Sequence, residues 1–138
     1  MKILLSILAT LVWAAPAFAL DVCTQPLQTV AINIASATTT QIVGGTSIGG
    51  NKRRIVVCGY DFTSAGTSPT YQFEEGTGSA CGTGTTALSG VYAPTSGIKT
   101  SYGGAGATIM ATDSGNELCI VSGGTPSLQG VLNYVVMP

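Results

Sequence analysis

The sequence predicts an all-β fold: a β-sandwich of about eight antiparallel strands, jelly-roll-like in order and stapled by disulfides. Three observations carry this. No segment beyond residue 19 holds a 3.6-residue apolar period, and Gly, Thr and Ser, which disfavour helix, are frequent throughout. Short β-branched runs recur between turn residues, as strands do. Four cysteines, Cys23, Cys58, Cys81 and Cys119, make an even set.

The elements follow in order. Lys2, the apolar run Ile3 to Val12 and the triplet Ala17-Phe18-Ala19 read as a secretory signal peptide over 1–19, cleaved before Leu20. The apolar run is short for a membrane anchor, so no membrane span is expected after cleavage. A lipoprotein reading through Cys23 is disfavoured because Val22, not a small residue, precedes it. Residues 20–138 then form a single β-sandwich domain of ordinary size. Val30, Ile32 and Ile34 alternate with Ala31 and Asn33, as on a half-buried strand. Thr39 to Val43 follows, and Gly49-Gly50-Asn51 turns the chain. Arg54 to Phe62 is the strongest strand signal. Tyr71, Phe73 and Glu75 alternate against Gln72 and Glu74. Gly76 to Gly84 reads as a loop, Ala87 to Tyr92 as a weak strand, and Ala93 to Gly106 as irregular. Ala107 to Ala111 reads as a strand and Asp113-Ser114-Gly115-Asn116 as a tight turn. Glu117 to Ser122 and Gly130 to Met137 complete the set.

An exported chain meets an oxidising compartment, where four such cysteines form two disulfides. Three connectivities are open. The shorter loop favours Cys58–Cys81, with Cys23–Cys119 as the second pair. A zinc site lacks C-x-x-C spacing and any histidine.

Composition excludes several classes of function. The chain carries five Lys and Arg against six Asp and Glu, and no histidine. Losing Lys2 with the leader makes the remainder more acidic, so neither nucleic acid nor an anionic membrane is an expected partner. Without histidine, the Ser-His-Asp and Cys-His nucleophile systems are unavailable. Gly45-Thr46-Ser47-Ile48-Gly49 matches G-x-S-x-G but has no helix after it and no base, so a hairpin loop is the better reading. Glu74 and Glu75 are neighbours on a strand and point to opposite faces, which is wrong for a glycosidase pair. A strand-end charge that blunts an edge is the simpler role. In Gly76-Thr77-Gly78-Ser79-Ala80-Cys81, a cysteine takes the last glycine position of a phosphate loop. Asp113, Asn116 and Glu117 fall short of a calcium loop. Lys52-Arg53-Arg54 is a solvated hairpin end. Tyr60, Tyr71, Tyr92, Tyr102 and Tyr134 serve packing first, with Tyr102 the best placed to stack on a sugar. No enzyme, cofactor or metal is expected.

Two strands, Ile55-Val56-Val57-Cys58 and Val131 to Val136, are apolar on both faces. A surface strand of a sandwich carries polar residues outward, so something covers the outer face. A second copy of the chain is the first candidate, giving a homo-oligomer such as a trimer through Ile55, Val57, Val131, Tyr134 and Val136. An overlying loop is the other. The expected function is therefore a non-enzymatic, exported structural or interaction protein that self-associates at the cell surface or in an extracellular assembly. The alternative is an adhesin-like module that binds a surface glycan through the loops Gly76–Gly84 and Ala93–Gly106.

One resemblance bears on this. The run Val56-Val57-Cys58-Gly59-Tyr60, then Glu74-Glu75-Gly76-Thr77-Gly78-Ser79-Ala80-Cys81-Gly82-Thr83-Gly84, then Gly103-Gly104, Asn116-Glu117-Leu118-Cys119-Ile120 and Val131-Leu132-Asn133-Tyr134-Val135, resembles a family of short, Gly/Thr-rich, cysteine-containing β-proteins encoded by bacteria and tailed bacteriophages. The resemblance spans nearly all of 20–138. It implies a compact β-sandwich, displayed on a surface or assembled into a larger particle, and implies no activity. The leader departs from what a virion protein needs.

Overall fold

The computed structural model describes residues 21–138 apart from 46 and 105, so the signal-peptide expectation lies outside the described residues. Among the described residues there are nine strands, one 3-10 turn (Ser79–Cys81) and no α-helix. The strands are β1 (Gln28–Ile34), β2 (Thr39–Val43), β3 (Ser47–Ile48), β4 (Asn51–Lys52), β5 (Arg54–Thr77), β6 (Thr83–Ala87), β7 (Lys99–Gly103), β8 (Met110–Ala111) and β9 (Glu117–Met137). Seven share one antiparallel sheet, and β3 and β4 form a separate hairpin. Its turn uses Gly49 and Gly50 at positive φ, as a two-residue hairpin turn requires.

The frame is the pairing of β5 with β9, in register from Arg54↔Met137 to Gly76↔Glu117. In a straight strand Tyr60 and Phe73 would lie about 40 Å apart. Their ring centroids are 5.0 Å apart. The ribbon therefore folds over on itself. The bend sits where the register slips between Thr67 and Thr70, opposite Gly123 to Thr125. Gly66 and Gly124 permit it: a Cβ on Gly66 would stand 1.7 Å from the Thr125 carbonyl oxygen, and one on Gly124 2.2 Å from that of Ser68. Both glycines also have positive φ.

The remaining strands attach to the flanks of this ribbon. β1 pairs with Leu128–Tyr134 and β2 with Leu118–Val121 of β9. On the other side, β7 and β8 pair with the first half of β5, and β6 with its end. The inward residues of both halves meet in one core: Ile32 and Ile34, Ile55, Val57, Tyr60 and Phe62, Tyr71 and Phe73, Leu118 and Ile120, Leu128 and Leu132. A bulge at Cys58 keeps this parity, because Val57 pairs with Tyr134 and Gly59 with Asn133. Without the extra residue, Tyr60 and Phe62 would point outward.

Several boundaries differ from expectation. Arg54–Phe62 and Tyr71–Glu75 are one strand, and so are Glu117–Ser122 and Gly130–Met137. The weak strand expected at Ala87–Tyr92 sits earlier, at Thr83–Ala87, and Tyr92 makes only an isolated bridge to Tyr71. The irregular stretch Ala93–Gly106 contains β7, and the loop Gly76–Gly84 is shortened from both ends. β8 is only the end of the expected strand Ala107–Ala111. The Asp113–Asn116 turn forms as expected, closed by Asn116 N–H on the Asp113 carbonyl at 3.1 Å.

The disulfides correct the loop-length expectation. Cys23 joins Cys58 and Cys81 joins Cys119, with Cα separations of 5.4 and 6.3 Å. The second pair staples the 3-10 turn after β5 to β9. The first lays the N-terminal segment over the outer face of β5. There Cys23, Val56, Cys58 and Val135 form a second buried cluster, with Val22, Ala111 and Met137 against it. The strand that is apolar on both faces is thus covered by its own chain. Each bridge closes a loop long enough to add about 3–4 kcal/mol by restricting the unfolded chain.

Digestion at Lys, Arg and Glu under non-reducing conditions separates all four cysteines. The expected products are 55–74 linked to the Cys23 peptide and 76–99 linked to 118–138. Recovery of 55–74 linked to 76–99 would refute the connectivity.

Candidate functional site

The residues expected to drive self-association are split by the fold. Ile55 and Val57 are fully buried inside the core of a single chain, which corrects their assignment to a contact surface. Tyr134 and Val136 are half-buried, Tyr134 against the same core. Val131 alone of the five stands at the surface.

The carboxyl groups do not form a reactive pair. Glu74 and Glu75 lie on opposite faces, as expected, but Glu75 does not blunt an edge. It is buried, and its Oε2 accepts the backbone N–H of Asp113 and, at 3.2 Å, the amide of Asn116. Its job is to hold the Asp113–Asn116 turn. Burial raises the Glu74 pKa from its ordinary value. Glu117 accepts the Cys81 N–H at 3.3 Å and so fixes the disulfide-bearing turn. Among the described residues, one grouping of potential metal ligands occurs, Cys81, Glu117 and Cys119. Its two sulfurs are bonded to each other, which removes the thiolates a metal would need. In the basic run, Lys52 and Arg54 are exposed and Arg53 is half-buried, with its carbonyl accepting Gly115 N–H at 2.7 Å. Ser47 sits in the β3–β4 hairpin, as the reading of the G-x-S-x-G match had it.

The aromatic residues form a continuous group running from core to surface. Tyr60 stacks on Phe62 at 4.8 Å and tilts against Phe73 and against Tyr102 at 5.3 Å. Tyr71 meets Phe62 and Phe73 edge-on and stacks on Tyr92 at 4.9 Å. Tyr92 in turn reaches Tyr102 at 6.1 Å. Alternation places Tyr60 and Tyr71 inward, and the pairing of β7 with β5 brings Tyr102 beside Tyr60.

Tyr102 stands between two clefts. One, of about 400 Å³, is lined by Leu27, Tyr60, Asp61, Ser101, Tyr102, Val131, Asn133 and the Cys23–Cys58 bridge, with glycines between. The other, of about 310 Å³, is lined by Tyr71, Tyr92, Ala93, Pro94, Ile98, Thr100 and Tyr102. Leu27, Ile98, Tyr102 and Val131 are between 39% and 51% exposed, unusual for large apolar side chains. Asp61 is paired with Lys99 at 2.8 Å, and Asn133 accepts the Thr29 hydroxyl at 2.7 Å.

Each cleft also touches one buried phenol. Tyr60 lines the first and Tyr71 the second, both 2% exposed, with their hydroxyls buried beside one another and beside those of Tyr92 and Thr100. Burial pushes both phenols above their ordinary pKa, and for Tyr60 the neighbouring phenols of Tyr92 and Tyr71 add to it. Of the two loops expected to bind a ligand, Ala93–Gly106 supplies much of both linings and Gly76–Gly84 supplies none. Leu27 and Ile98 were missed in the sequence. The available signal was an isolated large apolar residue in a polar, Pro- or Gly-containing stretch.

No family model, curated protein or solved structure matches the chain. Two intramolecular disulfides fit an oxidising, non-cytoplasmic environment. Among the described residues, no helix is long and apolar enough to cross a membrane.

Two expectations follow. Glu75→Ala strands two donors of the Asp113–Asn116 turn and should cost about 3 kcal/mol in urea unfolding. A loss near zero would show that water replaces the carboxyl. The raised phenols set an alkaline limit. Up to about pH 10 their contribution is intact, because folded and unfolded phenols are both protonated. Above it the unfolded chain ionises first, and stability should fall as pH rises, by at most about 1.4 kcal/mol per pH unit for each of Tyr60 and Tyr71. Absorbance at the phenolate band should show these two titrating only with unfolding. Titration of Tyr60 and Tyr71 in the folded protein would contradict this.

Proposed function

We propose that this chain is an exported, non-enzymatic interaction module with a jelly-roll β-sandwich fold, and that its working surface is the β7 edge around Tyr102. Pairing order supports the fold reading. With β5 and β9 each counted as two segments across the bend, one layer runs β1–β9–β5–β7 and the other β2–β9–β5–β6. That is the order of an eight-stranded jelly roll. The secretory pattern of 1–19 and the two disulfides support export. The resemblance to the bacterial and phage β-proteins, which carries no activity, is in keeping with a surface role.

One observation carries the choice of surface. Of the five large apolar side chains exposed among the described residues, four (Leu27, Ile98, Tyr102 and Val131) line the two clefts that meet at Tyr102. Scattered exposed apolar residues need no explanation, whereas exposed apolar residues gathered at concave sites favour an interaction role. Concave, mostly apolar sites with a few placed polar groups are where small ligands bind. The poor acid–base inventory favours binding over catalysis.

A second reading, self-association through the same edge, is favoured by Val131 and by β7, which pairs on one side only, with β5. An open edge strand accepts another strand. Ile55 and Val57 no longer contribute to it.

Amide chemical-shift mapping with small uncharged fragments tests the surface. Phenol, methyl glycosides and prolyl amides should perturb residues 98–104 and 131–133 first. Hits scattered over the molecule, or centred on 76–84, would count against the reading. Light scattering after size exclusion separates the alternatives. A monomer at high micromolar concentration fits a ligand-binding module, and an oligomer dissociated by Val131→Asp moves the conclusion to self-association.

A further inference from the structure

The first cleft is built from two parts of the chain. Its floor is strand: Gly59 pairs with Gly103 and Asn133, and Asp61 pairs with Ser101 and Val131, so these residues share the outer face of one layer. The rest of its lining includes Cys23 and Leu27, from the segment 21–27 that precedes β1. The second cleft takes no residue from that segment.

The hold on this segment is narrow. Inside it, the Asp21 carbonyl accepts the Thr24 N–H and hydroxyl, and the Val22 carbonyl accepts the Gln25 N–H. Among the described residues, its polar ties to the rest of the fold all run through Cys23. These are the bridge to Cys58, a strand-like pairing with Gly106, and the Thr108 hydroxyl donating to Cys23 Sγ at 3.7 Å. Val22 adds packing against the Val56–Val135 cluster. A segment anchored at one residue opens locally, at a cost well below that of global unfolding.

The two bridges differ in access and not in loop size. Their sequence separations are 35 and 38, so loop closure stabilises them alike. Cys81 and Cys119 are 1% and 0% exposed and line neither cleft. Cys23 and Cys58 are 6% and 3% exposed, and both line the first cleft. Thiol–disulfide exchange requires a thiolate to reach a sulfur, so access decides which bridge reacts.

We propose that the Cys23–Cys58 bridge is a redox latch that assembles the first cleft when closed and dismantles it when a dithiol donor opens it. One donor thiolate attacks a bridge sulfur and forms a mixed disulfide. The second donor thiol then closes the donor's own disulfide ring, and Cys23 and Cys58 are left as thiols. Two electrons and two protons pass from donor to protein. Segment 21–27 then lifts away, taking Cys23 and Leu27 from the cleft and baring Val56 and Val135. The main core and the Cys81–Cys119 bridge stay in place, and so does the second cleft. This regulation rests on the reading of the β7 edge as the binding surface.

Graded reduction of the whole chain with dithiothreitol, without denaturant, tests this. Alkylation followed by peptide mapping should label Cys23 and Cys58 at least about tenfold faster than Cys81 and Cys119. Amide shifts should change at residues 21–27, 56–59, 106–111 and 135–137, with the remaining spectrum still that of a folded protein. Fragments that perturb residues 101–104 and 131–133 of the oxidised protein should bind there about tenfold more weakly once the latch is open. Those that perturb residues 92–98 should be unaffected, and reoxidation should restore the first set. Cys23→Ser with Cys58→Ser should reproduce the open state without reductant. Equal labelling of all four cysteines, or loss of the folded spectrum when the first bridge opens, would overturn the latch. Fragments that stay bound at residues 101–104 and 131–133 after selective opening would overturn the gating alone. Fragments that fail to map there even in the oxidised protein would remove the surface reading, and the gating with it.

Discussion

The folded-over ribbon of β5 and β9 is the constraint on which the rest of this structure depends. Two long antiparallel strands satisfy each other's backbone over twenty register positions. Straight, they would expose a row of aromatic and branched side chains along one face. Folding at the Thr67–Thr70 slip turns that face inward on itself, so Tyr60 and Phe62 meet Tyr71 and Phe73. The flanking strands then have only to extend each half, and each does so through pairing with β5 or β9. Because the bend brings carbonyl oxygens against Gly66 and Gly124, the architecture hangs on two positions where no side chain fits.

The disulfides act at the two places the ribbon cannot manage alone. One is the end of the β5–β9 pairing, where the strand register slips between Glu75 and Thr77 against β6 and the chain turns through Ser79–Cys81. The other is the outer face of Val56 and Cys58, which would otherwise present apolar surface to water. Bridging Cys23 to Cys58 fixes a cover there at the cost of ordering one short segment. This gives the protein two buried clusters of unequal size: a large one inside the fold and a small one under the N-terminal segment.

What the sequence revealed and what it hid divide along a physical line. Alternation is local, so Val30, Ile32 and Ile34, and Tyr71, Phe73 and Glu75, were legible, as was the turn at Asp113–Asn116. The edge strands β6 and β7 were not. Thr83–Ala87 is exposed throughout, and an edge strand is defined by its hydrogen-bond partner rather than by side-chain pattern. The cysteine pairing was beyond reach for a related reason. Loop-closure entropy grows only with the logarithm of length, so the competing loops differ by less than about half a kcal/mol. Topology decides instead, by setting Cys81 against β9 and Cys58 under the N-terminal segment. The same limit misled the reading of Ile55 and Val57. Apolar character on both faces of a strand was visible, but whether a second chain or the same chain supplies the cover is a long-range fact.

The aromatic group shows how the core and the candidate site are one object. Tyr60 and Tyr71 belong to the core by burial and to the clefts by position. Their hydroxyls lie buried beside each other and beside those of Tyr92 and Thr100, a small polar group set within the aromatic core. Phe62 and Phe73, their neighbours in the same stack, show that the fold accepts phenylalanine at equivalent inward positions. The difference between the two pairs is that the tyrosines line surface clefts and the phenylalanines do not. Tyr102, the one ring common to the two clefts, extends this aromatic group from the core to the edge of the sheet.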